Sequence, residues 1–286
     1  MTPMVPLDTN TSILVLALPA TSPLGWQAEP CAPPPLVLPW VQVWGLRLAR
    51  VSFAETVDAV DRLIARRKPS FFITANLHYA MLCDRDPGLC EVNRRAAFLV
   101  ADGMPLVWYA RLTGRRLPER VTGADLVWHL CARAAVAGHR VFLLGGAPGV
   151  AQEAGRILAR RYPGLQIAGT LSPPHRRWTD DDNRAIVASV RRARADLLIA
   201  ALGQPKGELW LAAQAEALGV PACVQVGASL DFIVGRSRRA PTWLQRSGLE
   251  WLFRMLQEPR RLGPRYLSDA LFLAKAIARD LWPRRP

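Results

Sequence analysis

From residue 41 onward, short apolar runs of strand length alternate with segments whose apolar residues recur every three or four positions. The runs fall at 41–44, 70–74, 97–101, 140–144, 165–168, 196–201 and 222–226. Helical periodicity fills the stretches between them, at about 52–67, 88–95, 104–112, 125–137, 149–161, 183–194 and 206–218. Start signals agree with this reading: Ser52 and Thr122 are placed as N-caps, and Thr179 with Asp182 three residues on resembles a capping box. Strands alternating with helices predict an α/β fold, a doubly wound, mainly parallel, Rossmann-like sheet of about six strands over residues 40–240.

The pattern changes at both ends. Residues 1–39 contain nine prolines and have neither a basic n-region nor a convincing cleavage site, so they read as a disordered leader. Residues 241–286 hold no strand and carry nine basic against four acidic side chains. Within them Leu267, Ala270, Leu271, Ala274, Ile277, Ala278 and Leu281 recur at helical spacing beside Lys275, Arg279 and Trp282. Such a helical, basic appendage suits a membrane interface, and the same stripe equally suits packing on the core.

Candidate chemistry collects where the strands end. Ala97-Phe98-Leu99-Val100-Ala101 runs into Asp102, followed by Gly103 and Pro105. On its own Asp102 is most simply the N-cap of the next helix. Other strand ends change that picture: Thr74 and Asn76, Gly145-Gly146, Gly203-Gln204-Pro205, and Gly227 with Asp231. Open α/β sheets bind ligands outside the carboxyl ends of their strands, and glycine turns let backbone N–H groups approach a phosphate. Arg120 supplies a nearby cation. No G-x-G-x-x-G is present, which disfavours a dehydrogenase. Asp84-Arg85-Asp86 is formally a D-x-D metal motif, although beside Pro87 its aspartates read more simply as first-turn residues of a helix.

Charge and cysteine content narrow the setting. The formal net charge is +14, and all but three of the 37 cationic side chains are arginine. That balance suits nucleic acid, phosphorylated small molecules or an anionic membrane; without zinc-finger spacing or an aromatic RNA-binding signature, nucleic acid is disfavoured. Five cysteines with no C-x-x-C pair fit a reducing compartment. The four histidines are scattered and read as structural or solvated. No apolar run reaches the roughly 18–20 residues that cross a bilayer.

Several ordered motifs between about residues 41 and 266 then resemble one family. They are Thr74-x-Asn76, Ala101-Asp102-Gly103-x-Pro105, Glu119-Arg120-Val121-x-Gly123-x-Asp125, Leu143-Leu144-Gly145-Gly146, Gly203-x-Pro205-Lys206-x-Glu208 and Gly227-Ala228-x-x-Asp231-Phe232-x-x-Gly235. Arg239-Ala240-Pro241-x-Trp243 and Gly248-Leu249-Glu250-Trp251-x-x-Arg254 complete the series. The chain resembles the WecG/TagA/CpsF glycosyltransferases, glycosyltransferase family 26.

The resemblance implies inverting transfer of a sugar from a UDP donor to a polyprenyl-diphosphate-linked glycan, in exopolysaccharide or cell-surface glycan synthesis. It places the protein peripherally on the cytoplasmic membrane face through residues 241–286, with no metal or other cofactor and no nucleic-acid partner, and leaves a homo-oligomer open. Asp102 would be the general base, and Thr74 and Asn76 would hold donor sugar or acceptor. Arg120 would steady phosphate, and Asp231 would lie by the nucleoside. Arg254, Arg261 and Arg265 would complete the site from the appendage, with Gly145, Gly146, Gly203, Gln204, Glu208 and Gly227 as further substrate-binding residues. One departure stands out: Gly207 occupies a position where the family usually has glutamine, so either Gln204 reaches in or the donor sugar differs. A metal-dependent transferase using Asp84 and Asp86, and a catalytically weakened nucleotide-binding scaffold at the membrane, are the alternatives.

Overall fold

The computed structural model describes residues 36–174 and 176–281; the leader reading therefore falls almost wholly outside the described residues, as do Trp282, Arg284 and Arg285. The described chain builds an eight-stranded sheet. Its strands are β1 (Trp40–Val43), β2 (Leu46–Ala49), β3 (Phe71–Ala75), β4 (Leu99–Ala101), β5 (Arg140–Gly145), β6 (Gln166–Leu171), β7 (Leu197–Ala201) and β8 (Ala222–Gln225), in the order β1-β2-β4-β3-β8-β7-β5-β6. All neighbouring pairs are parallel except β1 with β2. Every residue of β3, β4 and β8 is buried, which explains why these strands read as continuous apolar runs with no alternation.

The expected six or so strands become eight partly because residues 40–49 form a hairpin where one short strand was expected. Its two-residue turn is Trp44-Gly45, with φ of +46° and +82°. Two positive φ values mark the turn that matches strand twist, but tryptophan is not a residue that announces it. Trp44 accepts the left-handed conformation while its ring is buried against Tyr109, 4.6 Å between centroids.

Helices cover both faces. On one side lie α1 (Phe53–Ala65), α5 (Gly123–Ala137), α6 (Val150–Arg161) and the short α9 (Ser229–Ile233), enclosing Phe72, Leu126, Leu130 and Leu143. On the other lie α2 (Leu77–Arg85), α3 (Pro87–Arg95), α4 (Met104–Leu112), α7 (Asp180–Ala193) and α8 (Lys206–Leu218), around Tyr79, Leu106, Phe142 and Trp210. The caps form as expected: Ser52 and Thr179 close full capping boxes, and Thr122 accepts from Asp125 N–H. Helix α2 was not expected. Asn76 starts it by accepting from Tyr79 N–H at 3.0 Å, and Asp86 both ends it and caps α3. The Asp84-Arg85-Asp86 motif is thus a helix-to-helix joint and not one first turn. Asp84 lies 3.4 Å from Arg279, and the Asp86 carboxylate accepts from Gly88 N–H.

Residues beyond 240 form α10 (Thr242–Arg246), α11 (Glu250–Gln257) and α12 (Pro259–Leu281), with no strand among the described residues. Helix α12 divides its apolar residues between two faces. Leu262, Phe272 and Ala276 are buried, with Phe272 edge-on to Trp44 at 5.9 Å. Leu267 and Leu271, from the stripe read in the sequence, remain 64% and 56% exposed. The stripe read in the sequence is therefore mainly exposed, and α12 packs on the core chiefly through residues outside it. Because Phe272 fixes α12 to the sheet layer, Phe272→Ala should cost about 3–5 kcal/mol in urea unfolding, whereas Leu271→Ala should change it by less than about 0.5 kcal/mol.

Candidate functional site

Strand β4 delivers Asp102 to the carboxyl edge of the sheet, where its backbone N–H donates to Ala75 O at 2.7 Å. Helix α4 is capped by Gly103 without a side-chain bond, so the N-cap reading of Asp102 does not hold. Its carboxyl is left half-buried at the meeting point of two cavities. Glycine at 103 allows close approach there, since a Cβ would lie 3.3 Å from the Asn76 backbone.

The first cavity, about 310 Å³, is walled mainly by Met104, Pro105, Trp108, Trp251, Tyr266 and Leu273. The second, about 700 Å³, lies over the ends of β3, β8, β7 and β5 and is polar, with Arg236, Arg254, Arg261 and Arg265 against Asp231 and Glu258. Asn76, Asp102, Arg254 and Arg265 border both. The apolar cavity and the polar basin share a rim, and the carboxylate stands on it.

Electrostatics at the rim come from three parts of the chain. Burial pushes the Asp102 carboxyl up to about 6; the Arg120 guanidinium opposes this, Glu250 adds to it, and Gly123 N–H and Arg254 oppose it again. Arg120 lies 3.3 Å from Glu250 of α11, and Glu250 also meets Arg239 Nε at 3.4 Å. Arg239 in turn forks onto Asp125 of α5, with Nη2 2.7 Å from Oδ2. Asp125 is held below its ordinary range because its Arg239 and Thr122 hydrogen bonds outweigh its burial. Arg120 was expected at the phosphate; the structure puts it beside Asp102 on the apolar side, already paired, and outside the basin.

The remaining sequence candidates divide. Thr74, Gly146, Gly203, Gln204, Gly227, Asp231, Arg254, Arg261 and Arg265 all border the basin. Thr74 donates its hydroxyl hydrogen to Gln225 O at 3.0 Å, leaving only lone pairs for a ligand. Two glycine N–H groups are engaged within the fold: Gly146 donates to Ala201 O at 3.3 Å and Gly227 to Gln225 Oε1 at 3.2 Å. Gly145 does not reach the basin; a Cβ there would strike the Ala201 carbonyl, so its role is close packing of β5 on β7. Glu208 also misses both cavities. It is buried, its carboxylate oxygens make no hydrogen bond, and burial pushes it up to about 7 against the attraction of the Arg265 charge.

Gly207 has a local explanation. A Cβ there would sit 2.6 Å from the Gln225 side chain, whose amide oxygen receives Leu202 N–H at 3.3 Å as well as Gly227 N–H. Gln225 thus fills the space that a side chain at 207 would need, while Gln204 reaches Thr74 O at 3.4 Å from the basin side. Reading the sequence alone missed Gln225, Arg236, Glu250, Trp108 and the His78–Asp269 pair. Glu250 stood in a quoted motif without a role; the others follow from packing between distant elements.

Two outcomes follow from the buried groups. The native Asp102 and Glu208 carboxyls hold protons to about 6 and 7, above their unfolded values, so the stability they contribute is lost as pH rises through that range. Asp102→Asn and Glu208→Gln should each flatten the fall in Tm between about pH 4 and 7 and raise Tm at about pH 8. Gly207→Ala should cost about 1–3 kcal/mol in chemical unfolding, by displacing Gln225.

Comparison with known proteins identifies the family. Residues 41–286 match the model of the Glycosyl transferase WecG/TagA/CpsF family. An N-acetylglucosaminyldiphosphoundecaprenol N-acetyl-beta-D-mannosaminyltransferase of Bacillus spizizenii is 29% identical over 222 residues, 75% of this chain and 83% of that protein. The protein of the same name from Staphylococcus aureus strain MW2 is 25% identical over 237 residues, 82% of this chain and 91% of that protein. With the motifs in order, a parallel sheet that gathers them at one edge and a family match over most of its length, this chain belongs to the WecG/TagA/CpsF glycosyl transferase family.

Proposed function

We propose that this protein transfers a sugar, with inversion, from a UDP donor to a saccharide carried on a polyprenyl diphosphate, in synthesis of a cell-surface glycan. The observation that carries the reading is the position of Asp102, on the rim shared by a polar basin and an apolar cavity. The basin suits the nucleotide: arginines and the α6 and α8 N-termini, which have no side-chain caps, offer positive charge to a diphosphate. The apolar cavity suits the acceptor, whose relatives' names specify N-acetylglucosaminyldiphosphoundecaprenol.

In this scheme the Asp102 carboxylate accepts the proton of the attacking acceptor hydroxyl while the new glycosidic bond forms. The bond to the donor diphosphate breaks on the opposite face, and its electron pair leaves on UDP. Arg254, Arg261 and Arg265 oppose the growing charge with fixed guanidinium groups, and no metal is needed in that role. Asn76 spends its carbonyl on the α2 cap, so its amide hydrogens remain for a sugar hydroxyl. Thr74 contributes an acceptor oxygen, and Asp231 lies on the basin wall for the nucleoside. Arg120 acts on Asp102 directly instead of on phosphate.

Attachment to the cytoplasmic face of a membrane fits the same segment. Trp243, Trp251, Leu256, Leu267 and Leu271 are exposed on α10–α12 among basic residues, and no described helix is long and apolar enough to cross a bilayer. Aromatic and aliphatic side chains with interspersed arginines favour an anionic interface. The metal-dependent alternative has little geometric support, since Asp84 and Asp86 border neither cavity and face Arg279 and the α3 N-terminus.

Transfer to a short-chain prenyl-diphosphate-linked N-acetylglucosamine, assayed with a panel of UDP-sugars, tests the reading. Asp102→Asn should lower kcat by about 10²–10⁴-fold while UDP still binds. Because the base must be ionised, the wild-type rate should rise with pH and level off above about 6. Activity should survive a chelator. UDP binding without turnover in the wild type would instead support the scaffold reading.

A further inference from the structure

Within the apolar cavity, one polar pair has no part in the scheme above. His78, in the first turn of α2, places Nδ1 2.8 Å from Asp269 Oδ1 of α12, and both residues border the cavity. Asp269 is buried, and the His78 side chain is 16% exposed. A carboxylate accepts and does not donate, so an imidazole hydrogen lies on Nδ1, and in the neutral ring Nε2 then keeps its lone pair. Nε2 has no hydrogen-bond partner among the described residues, and it is not among the polar atoms sealed from solvent. The pair holds an imidazole in one orientation with its free nitrogen unspent.

The cavity's charge indicates what that nitrogen meets. Arg120, Arg254 and Arg265 are balanced around this cavity by Asp102, Glu250 and Asp269, so its lining carries no net charge, unlike the arginine-rich basin. Trp108, Trp251 and Tyr266 supply aromatic faces, with Trp251 and Tyr266 5.7 Å apart. Balanced charge, aromatic walls and a few fixed polar atoms suit a neutral polyhydroxylated ring. Resting on the proposed transfer reaction, we infer that His78 is a specificity residue for the acceptor saccharide: Nε2 accepts a hydrogen bond from an acceptor hydroxyl other than the one that reacts. Asp269 is its positioning residue, fixing the ring through Nδ1. Arg265, 3.9 Å from Asp269, holds that carboxylate from the basin side.

The test is direct binding of short-chain prenyl-diphosphate-linked N-acetylglucosamine and its monodeoxy analogues to the full chain, by calorimetry. Wild type should bind the parent and lose about tenfold on one analogue whose missing hydroxyl is not the nucleophile. His78→Ala should bind the parent about tenfold more weakly and lose nothing further on that analogue, with UDP affinity unchanged. His78→Gln, which retains an accepting oxygen, should recover part of the discrimination and controls for folding. Asp269→Asn should flatten the analogue pattern in the same way, a readout that loss of a helix-to-helix contact does not move. Equal weakening on every acceptor, a fall in UDP affinity instead, or no binding of the series by wild type would overturn the inference. Intact acceptor selectivity without turnover would leave it standing and remove the transferase reading instead.

Discussion

Half-burial of one carboxylate at the end of β4 is the constraint around which the site is arranged. A desolvated Asp102 alone would take up a proton and lose its proposed use as a base; a carboxylate fully paired with arginine would be too weakly basic for that proposed role. Arg120 moderates the first tendency and Glu250, by occupying Arg120, moderates the second. The result is a group poised near 6, with an open polar basin on one side and an apolar cavity on the other. Glu250 belongs to α11, so the tuning of a group on the central sheet depends on the segment that follows residue 240.

That dependence gives the C-terminal helices a second purpose beyond any contact with a membrane. They supply Arg254, Arg261 and Arg265 to the basin, Trp251, Tyr266 and Asp269 to the cavity, and Glu250 to the rim. Arg239 and Asp125 tie the entry to this segment back onto α5. Docking through Phe272 and Ala276 sets α12 beside both cavities, while Leu267 and Leu271 are left exposed. Among these side chains Arg265 carries the largest burden, because burial pulls its pKa down and its Nε is buried without a hydrogen bond.

Much of the sheet was legible in the sequence because central parallel strands are buried on both faces and read as unbroken apolar runs. The caps at Ser52, Thr122 and Thr179 were legible because they act within four residues. What escaped was non-local or atypical. The hairpin at Trp44-Gly45 is held by burial of a ring against Tyr109 and Phe272, and helix α2 starts from an Asn76 already read as a strand end. In the site, Asp102 and the basin glycines were visible as strand-end signals. Gln225 in place of a side chain at 207, the Arg120–Glu250 pair and the His78–Asp269 pair join residues far apart in sequence, and no local pattern encodes such meetings.

The most direct test of the account is a titration of the Asp102 carboxyl itself, followed by carbon NMR on aspartate-labelled protein with Asp102→Asn for assignment. The account requires a midpoint near 6 that falls when Glu250 is replaced by glutamine, because Arg120 then turns its charge wholly on Asp102. A midpoint in the ordinary aspartate range, unmoved by that replacement, would contradict it.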